Sequence, residues 1–154
     1  MKTFFLVGLL THSFTAFGAV DIHTDLAVVT GGESRFVETA PKANKKLVYF
    51  WATWCTVCGE KLTHTLPEIA TSHKDLAVVT VSLDDEENRA QHYAEKYKIK
   101  LPVLYDRSGK LRQELGINAV PYWMTFRKDP GTGRWIKLAA EEAFDRERIE
   151  RSLR

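Results

Sequence analysis

Cysteine is scarce in this chain. Only Cys55 and Cys58 occur among its 154 residues, and they stand three positions apart. A disulfide between them would close too short a loop to constrain the unfolded chain much, so a purely structural disulfide is a poor explanation for the two cysteines. No second Cys-x-x-Cys and no pair of histidines at ligand spacing accompanies them, which argues against a zinc site. A redox role for the two thiols is the better explanation.

Strong net charge and long apolar runs are also missing. The net charge of +2 predicts no nucleic-acid or membrane-surface role. The apolar run at residues 4–10 is too short to span a bilayer, which takes about 20 residues. Lys2, this run and Ala16-Phe17-Gly18 instead follow the order of a secretory signal peptide. We therefore predict that residues 1–18 are a signal peptide for export, with no nearby cysteine for a lipid anchor.

The remaining residues, 19–154, are enough for one domain and too few for two. Apolar runs predict buried strands that alternate with helical segments, and the chain closes with a β-hairpin and a charged helix. This order favours an α/β fold. The predicted strands are residues 47–52, 76–83, 101–105, 122–128 and 134–140; the predicted helices are 55–71, 87–97, 111–115 and 144–153. Two further short strands, 26–30 and 35–37 around Gly31-Gly32, predict an N-terminal β-hairpin.

Two local patterns refine the helices. Leu62, Leu66 and Ile69 have the spacing of a buried helix face, while Pro67 predicts a kink or an early end to that helix. The acids at residues 84–87 are predicted to cap and charge the start of the next helix, because carboxylates favour the first turn.

The segment WATWCTVCGE, residues 51–60, joins the first buried strand to the first helix. If the helix opens at Cys55, its unpaired N–H groups and dipole stabilise a thiolate there. The pKa of Cys55 should then fall from roughly 8.5 into the range of about 3.5 to 7.5. Cys55 is the predicted nucleophile and Cys58 the resolving thiol. The pair can exchange two electrons through a mixed disulfide.

WATWCTVCGE after a hydrophobic strand, with AVPYWMTF some 60 residues later, resembles the thioredoxin superfamily. Together with a signal peptide, the WATWCxxC form resembles the TlpA/ResA-like thiol-disulfide oxidoreductases of the bacterial envelope. The resemblance covers about residues 46–138. It implies a thioredoxin-like fold with a central mixed β-sheet flanked by helices, and a periplasmic reductant of protein cysteines. It further implies that a membrane thiol protein donates the electrons, that the protein needs no cofactor or metal, and that it is a monomer.

The resemblance also assigns roles around the two cysteines. It implies that the Val120-Pro121 bond is cis, that Pro121 lies against the sulfurs, and that the Val120 backbone pairs with a substrate peptide. Trp54 would shield the sulfurs and contact partners, although packing explains it equally well. The dipeptide between the cysteines, Thr56-Val57, would adjust the stability of the thiolate.

Three positions depart from the family pattern. Tyr49 stands where thioredoxin has a buried acid, Lys61 where ResA-like proteins have a glutamate, and Thr63 where a proline is usual. Tyr49 cannot act as a carboxylate base. Lys61, three residues after Cys58, lies beside the thiol on a helix, whereas Glu60 points away. A lysine there would favour the thiolate and raise the reduction potential.

These departures keep other functions open. Within the same chemistry, the alternative is a periplasmic disulfide oxidant or isomerase, which Lys61 and the missing acid favour. From a different class, the two thiolates, with His64 as a further ligand, could bind copper, since soft thiolates suit Cu(I). A non-catalytic interaction module with this fold would have little need of both cysteines.

Overall fold

The central strand of the protein is β3 (Lys45–Trp51), the strand that leads to the two cysteines. The computed structural model describes residues 25–28, 33–35 and 42–154. Leu47, Tyr49 and Trp51 face one hydrophobic cluster, and Val48 and Phe50 face another on the opposite side of the sheet. All five side chains are fully buried. β3 is therefore covered on both faces, as its unbroken apolar run predicts.

The strands around β3 form a mixed sheet. β4 (Leu76–Ser82) runs parallel to β3 along one edge, and β5 (Val103–Tyr105) runs parallel to β4. Along the other edge lies the antiparallel pair β6 (Tyr122–Lys128) and β7 (Trp135–Glu142). The order β5-β4-β3-β6-β7 confirms the predicted α/β class, a thioredoxin-like fold with a central mixed sheet.

Two short strands extend the β5 edge of this sheet. β1 (Asp25–Val28) pairs antiparallel with β5, and β2 (Glu33–Arg35) pairs antiparallel with β1. Residues 29–32, which would form the turn of the predicted hairpin, lie outside the described residues, so the hairpin stays a prediction. The predicted signal peptide, residues 1–18, also lies outside them. In the described ranges, none of the helices has the length and apolar character needed to cross a bilayer.

One helical run follows the cysteines. It consists of α1 (Cys58–Glu60), a π-helical segment (Lys61–Thr65) and α2 (Leu66–Ser72). Leu62, Leu66 and Ile69 are fully buried, as their spacing predicts. The prediction of an early end at Pro67 is wrong, because α2 continues beyond it. The N–H of Leu66 donates to the carbonyl of Lys61, five residues back, so the regular α-helical hydrogen-bond pattern is already interrupted just before Pro67. The missing N–H of the proline is therefore tolerated at this point.

The remaining helices cover the two faces of the sheet. α3 (Glu87–Lys96) and α5 (Arg146–Ser152) contribute to the cluster that contains the cysteines, and α4 (Lys110–Leu115) contributes Leu111 to the other. α5 begins later than predicted, because the side chain of Asp145 accepts the N–H of Arg148 and caps it. Phe144 consequently lies before α5, and its ring packs edge-on against Tyr49 at 5.8 Å between centroids.

Candidate active site

Cys55 and Cys58 form a disulfide just beyond the C-terminal end of β3. Cys55 is 7% exposed and Cys58 is 1% exposed, so the first sulfur-bearing residue is the more accessible one. Trp54, directly before Cys55, is 64% exposed, and Val57, between the two cysteines, is 59% exposed. This exposure favours contact with a partner over internal packing as the role of Trp54.

The first helix begins later than the sequence predicts. α1 starts at Cys58, whereas the prediction places the helix start at Cys55. The N–H of Cys55 donates to the carbonyl of Ala52 at 3.0 Å, and the N–H of Cys58 donates to the carbonyl of Cys55 at 3.2 Å. These bonds join residues three apart and make two tight turns before the α-helical pattern takes over. Cys55 therefore lies in the turn that leads into the helix.

A carboxylate fixes the loop before Cys55. The backbone N–H of Thr53 donates to both oxygens of Asp84, at 3.0 and 3.1 Å, and the Thr53 hydroxyl donates to Oδ1 at 2.6 Å. The hydroxyl of Ser82 donates to Oδ2 at 2.8 Å. The prediction that Asp84 caps α3 is wrong, and the N-cap position of that helix, Glu86, forms no side-chain cap either. Asp84 instead ties the end of β4 to the cysteine loop.

Aromatic rings support the helix that carries Cys58. The Tyr93 ring lies 5.3 Å from that of Trp51 and 4.4 Å from that of Tyr97. The hydroxyl of Tyr93 lies against Gly59, so close that a Cβ on this residue would overlap it. The sequence pattern does not predict this contact, because it joins two segments that lie far apart in the chain.

Tyr49 lies in the same buried cluster as the two cysteines. Its hydroxyl is buried and has no hydrogen-bond partner among the described residues. Burial raises the pKa of Tyr49 well above its usual range, and the nearby Glu60 and Tyr93 raise it further. The phenol therefore stays protonated at neutral pH, and it does not replace the acid that thioredoxin has at this position.

Lys61 is partly neutralised by its neighbour. Its Nζ lies 2.5 Å from a carboxylate oxygen of Glu60 and 5.4 Å from the centre of the Phe144 ring. The hydrogen bond from Lys61 lowers the pKa of Glu60, which keeps the carboxylate charged. The positive charge that the sequence places beside Cys58 is thus compensated locally.

An apolar groove lies beside the disulfide. Its walls include Val57, Lys61, Val120, Pro121 and Phe144, and its volume is about 410 Å³. We call it the Pro121 groove. The Val120-Pro121 peptide bond is cis. The groove thus brings Val57, which lies between the cysteines, next to Val120 and Pro121, which follow it by about 60 positions in the chain.

The other predicted site residues lie around this groove or apart from it. Trp54 and Val120 share a small recess on the neighbouring surface, and Thr56 is exposed between the cysteines. His64 lies on the exposed side of the π-helical segment, where its Nδ1 is 2.8 Å from the hydroxyl of Thr63. No group of three His, Cys, Asp or Glu side chains within the described ranges could hold a metal ion.

A thioredoxin-like sheet with a Cys-x-x-Cys disulfide at the end of its central strand defines a class of redox-active proteins. The family comparison agrees with this geometry. The chain belongs to the AhpC/TSA family, whose pattern matches residues 21–131. The prediction of a thioredoxin-superfamily protein similar to ResA is confirmed.

Several known proteins are similar to this chain. The thiol-disulfide oxidoreductase ResA of Bacillus thuringiensis subsp. konkukian is 27% identical over 105 residues, which cover 66% of this chain and 60% of ResA. The exposed lipoprotein thioredoxin of Streptococcus pneumoniae has a solved structure with a TM-score of 0.66 and 28% identity, covering 84% of this chain and 96% of that one. StoA from Bacillus subtilis shares the fold, with a TM-score of 0.66 and 18% identity, covering 89% of this chain and 100% of that one. The chain thus spans less than two thirds of the length of ResA.

Proposed function

We propose that this protein is an exported thiol-disulfide oxidoreductase that reduces disulfides of protein substrates in the periplasm. The observation that carries the proposal is the Cys55–Cys58 disulfide, with Val57, between the two cysteines, in the wall of an apolar groove. The names of the relatives, which are thiol-disulfide oxidoreductases and a thioredoxin, support the same chemistry, and that of the exposed lipoprotein thioredoxin supports export. The signal-peptide pattern in residues 1–18 supports export.

The reaction starts from the reduced protein. The thiolate of Cys55 attacks one sulfur of a substrate disulfide, forming a mixed disulfide and releasing the first substrate thiolate, which takes up a proton. The thiolate of Cys58 then attacks the sulfur of Cys55 and releases the second substrate thiol. The substrate gains two electrons and two protons, and the protein is left with the Cys55–Cys58 disulfide. A membrane dithiol protein is the proposed donor that returns two electrons to it.

The Pro121 groove is the proposed binding place for the substrate chain. Its apolar walls suit a side chain next to the reacting cysteine, and the Val120 backbone beside them can pair with an extended peptide. Exposed Trp54 and Val57 extend the contact surface on either side of Cys55. Thr56, which is exposed between the cysteines, and Pro121 are the other residues proposed to support the reaction. The protein acts as a monomer in this proposal.

Charge compensation at Lys61 weakens the one sequence feature that favours an oxidant. A lysine beside Cys58 would stabilise the thiolate and make the disulfide more oxidising. Here Glu60 offsets that charge through the ion pair described above. A strong oxidant would need another source of thiolate stabilisation.

The reduction potential of the Cys55–Cys58 pair tests the direction of electron flow. Equilibration of residues 19–154 with thiol buffers should give a value below roughly −230 mV. A value between about −180 and −120 mV would make the protein an oxidant or isomerase. The chemistry itself is tested with Cys55→Ser, which should lose disulfide exchange with model substrates. Cys58→Ser should instead accumulate the mixed disulfide, and full activity in Cys55→Ser would contradict the proposal.

A further inference from the structure

A second cleft lies along helix α3 and reaches the loop that precedes Cys55. Its walls include Thr53, Arg89, His92, Tyr93, Lys96 and Tyr97, and its volume is about 390 Å³. We call it the α3 cleft. We propose that the α3 cleft binds an acidic segment of the redox partner, close to the partner's reacting cysteine. This inference rests on the proposed function and adds the chemistry of the partner to it.

The α3 cleft is connected to the redox site at two points. Thr53 lies two residues before Cys55 and is held in place by Asp84. Tyr93 touches Gly59, the residue after Cys58, with its hydroxyl. The cleft shares no lining residue with the Pro121 groove within the described part of the chain. The two surfaces are therefore separate, and one partner can contact both at once.

The charge of the α3 cleft is positive. Arg89 and Lys96 contribute two cationic groups to its walls, and no carboxylate is among the described residues that line it. Arg89 also contacts Glu86 at 3.6 Å, but both side chains are more than half exposed. Ion pairs this exposed contribute little, so the guanidinium can bind a carboxylate of a partner as well. The cleft thus complements a negatively charged segment.

The floor of the cleft is aromatic. Tyr93 and Tyr97 lie together there, and Tyr97 is 46% exposed. The Nζ of Lys96 lies 5.1 Å from the centre of the Tyr97 ring, so charge and apolar surface are adjacent. The cleft also contains arginine, and tyrosine and arginine are both enriched at protein interfaces.

The openness of the cleft favours a peptide over a small molecule. Small-molecule sites usually bury about 70 to 90% of their ligand. Here Arg89 is more than half exposed and Tyr97 nearly half exposed, so a small ligand between them would keep much of its surface in water. A chain that continues across the surface is not limited in this way. Because an extended chain covers about 3.3 to 3.6 Å per residue, its acids need to lie only a few residues from the cysteine.

The test uses three synthetic peptides with the same internal disulfide. Starting two residues after the second cysteine, they carry four glutamates, four glutamines or four lysines. Reduced protein is mixed with each peptide at low salt, and the single-turnover rate of peptide reduction is followed by chromatography. We expect the glutamate peptide to react about fivefold or more faster than the glutamine peptide, with the lysine peptide slowest. The preference should shrink in 0.5 M salt, which reduces the screening length to a few ångströms.

Two variants assign the preference to the cleft. Lys96→Glu should abolish or reverse the preference for glutamate, and Arg89→Gln should reduce it. Lys74→Glu is the matched control, because it makes the same change in charge on an exposed residue before β4, at the end of the sheet away from the cysteines. It should leave the preference intact. Thermal unfolding of each variant checks that the fold is retained.

The outcomes separate this inference from the proposed function. Failure to reduce any of the three peptides would overturn the proposed function. Reduction of all three at the same rate, or a preference that survives Lys96→Glu, would overturn the docking inference alone. A cleft that binds a small aromatic sulfonate tightly, with no peptide preference, would identify a small-molecule site and would also overturn it.

Discussion

The hydroxyl of Tyr93 lies so close to Gly59 that a Cβ on this residue would overlap it, so a ring from α3 opposes any larger residue after Cys58. Tyr93 in turn packs against the rings of Trp51 and Tyr97, which limit its freedom to move away. The contact couples the helix of the redox site to the wall of the α3 cleft.

This contact predicts a conditional effect of Gly59→Ala. In the natural background the new methyl group should overlap the Tyr93 oxygen and cost about 1 to 3 kcal/mol in the free energy of unfolding. In a Tyr93→Phe background the nearest ring carbon is 3.7 Å away, which is an ordinary contact. The cost should then disappear, since alanine is favoured over glycine in a helix by roughly 0.5 to 1 kcal/mol. Urea unfolding of the four proteins measures this, and equal losses in both backgrounds would contradict the contact.

Asp84→Asn tests the carboxylate that fixes the cysteine loop. An amide offers one acceptor oxygen in place of two, so at least one of the donors from Thr53 and Ser82 loses its partner. We expect a loss of about 1 to 3 kcal/mol in unfolding free energy and slower disulfide exchange. Asp85→Asn is the matched control, because it makes the same change on the exposed neighbouring residue. Similar losses in both variants would argue against the role of Asp84.

Lys46 makes the stability of the protein depend on pH. It is fully buried, and this burial, with the nearby Lys128, lowers the pKa of Lys46 from 10.5 to about 7. Its Nζ lies over the Trp135 ring at 4.4 Å. Between pH 7 and 10 the unfolded chain binds a proton that the folded protein has released, so the folded state becomes more stable as the pH rises. Below pH 7 the lysine is charged in both the folded and the unfolded state, so it adds nothing to the pH dependence of the unfolding free energy.

The variant Lys46→Met isolates this effect. Each unit of lowered pKa corresponds to about 1.4 kcal/mol, so the natural protein should gain up to a few kcal/mol relative to Lys46→Met between pH 6.5 and 9. Lys45→Met, at the adjacent and partly exposed position, should show no such difference. Urea unfolding at four pH values measures the slopes. Parallel stability curves for the natural protein and Lys46→Met would rule out the titration.

The Glu60–Lys61 pair predicts opposite shifts of the reduction potential. Glu60→Gln leaves the charge of Lys61 uncompensated, which should stabilise the thiolate and raise the potential. Lys61→Gln leaves the carboxylate, which should lower it. Because interactions between exposed charges are worth up to about 1 kcal/mol, the remaining charge should shift the potential by about 10 to 20 mV in each variant. Shifts of the same sign in the two variants would contradict this electrostatic argument.

The sequence predicts the parts of the fold that depend on local pattern. The apolar run at residues 47–52, the spacing of Leu62, Leu66 and Ile69, and the alternation of strands and helices all describe the observed core. The Cys-x-x-Cys motif correctly locates the disulfide, because its spacing alone allows the two thiols to meet.

The features that the sequence does not predict depend on distant partners. Asp84 looks like a helix cap locally, but its partner Thr53 is 31 positions away and meets it only because β3 and β4 end side by side. The contact of Tyr93 with Gly59 likewise joins two residues that are far apart in the sequence. The π-helical segment is also not predicted, since nothing in Lys61–Thr65 specifies a wider turn. An acid directly after a buried parallel strand is the signal that could have identified Asp84.

The position of β3 has a consequence for how the protein works during turnover. β3 is hydrogen-bonded to a strand on each edge and covered on both faces, so its amides should exchange with solvent only on global unfolding. The disulfide follows this strand after a short loop. Exchange at Cys55 should therefore not require β3 to open, and activity should persist during heating until the whole domain melts.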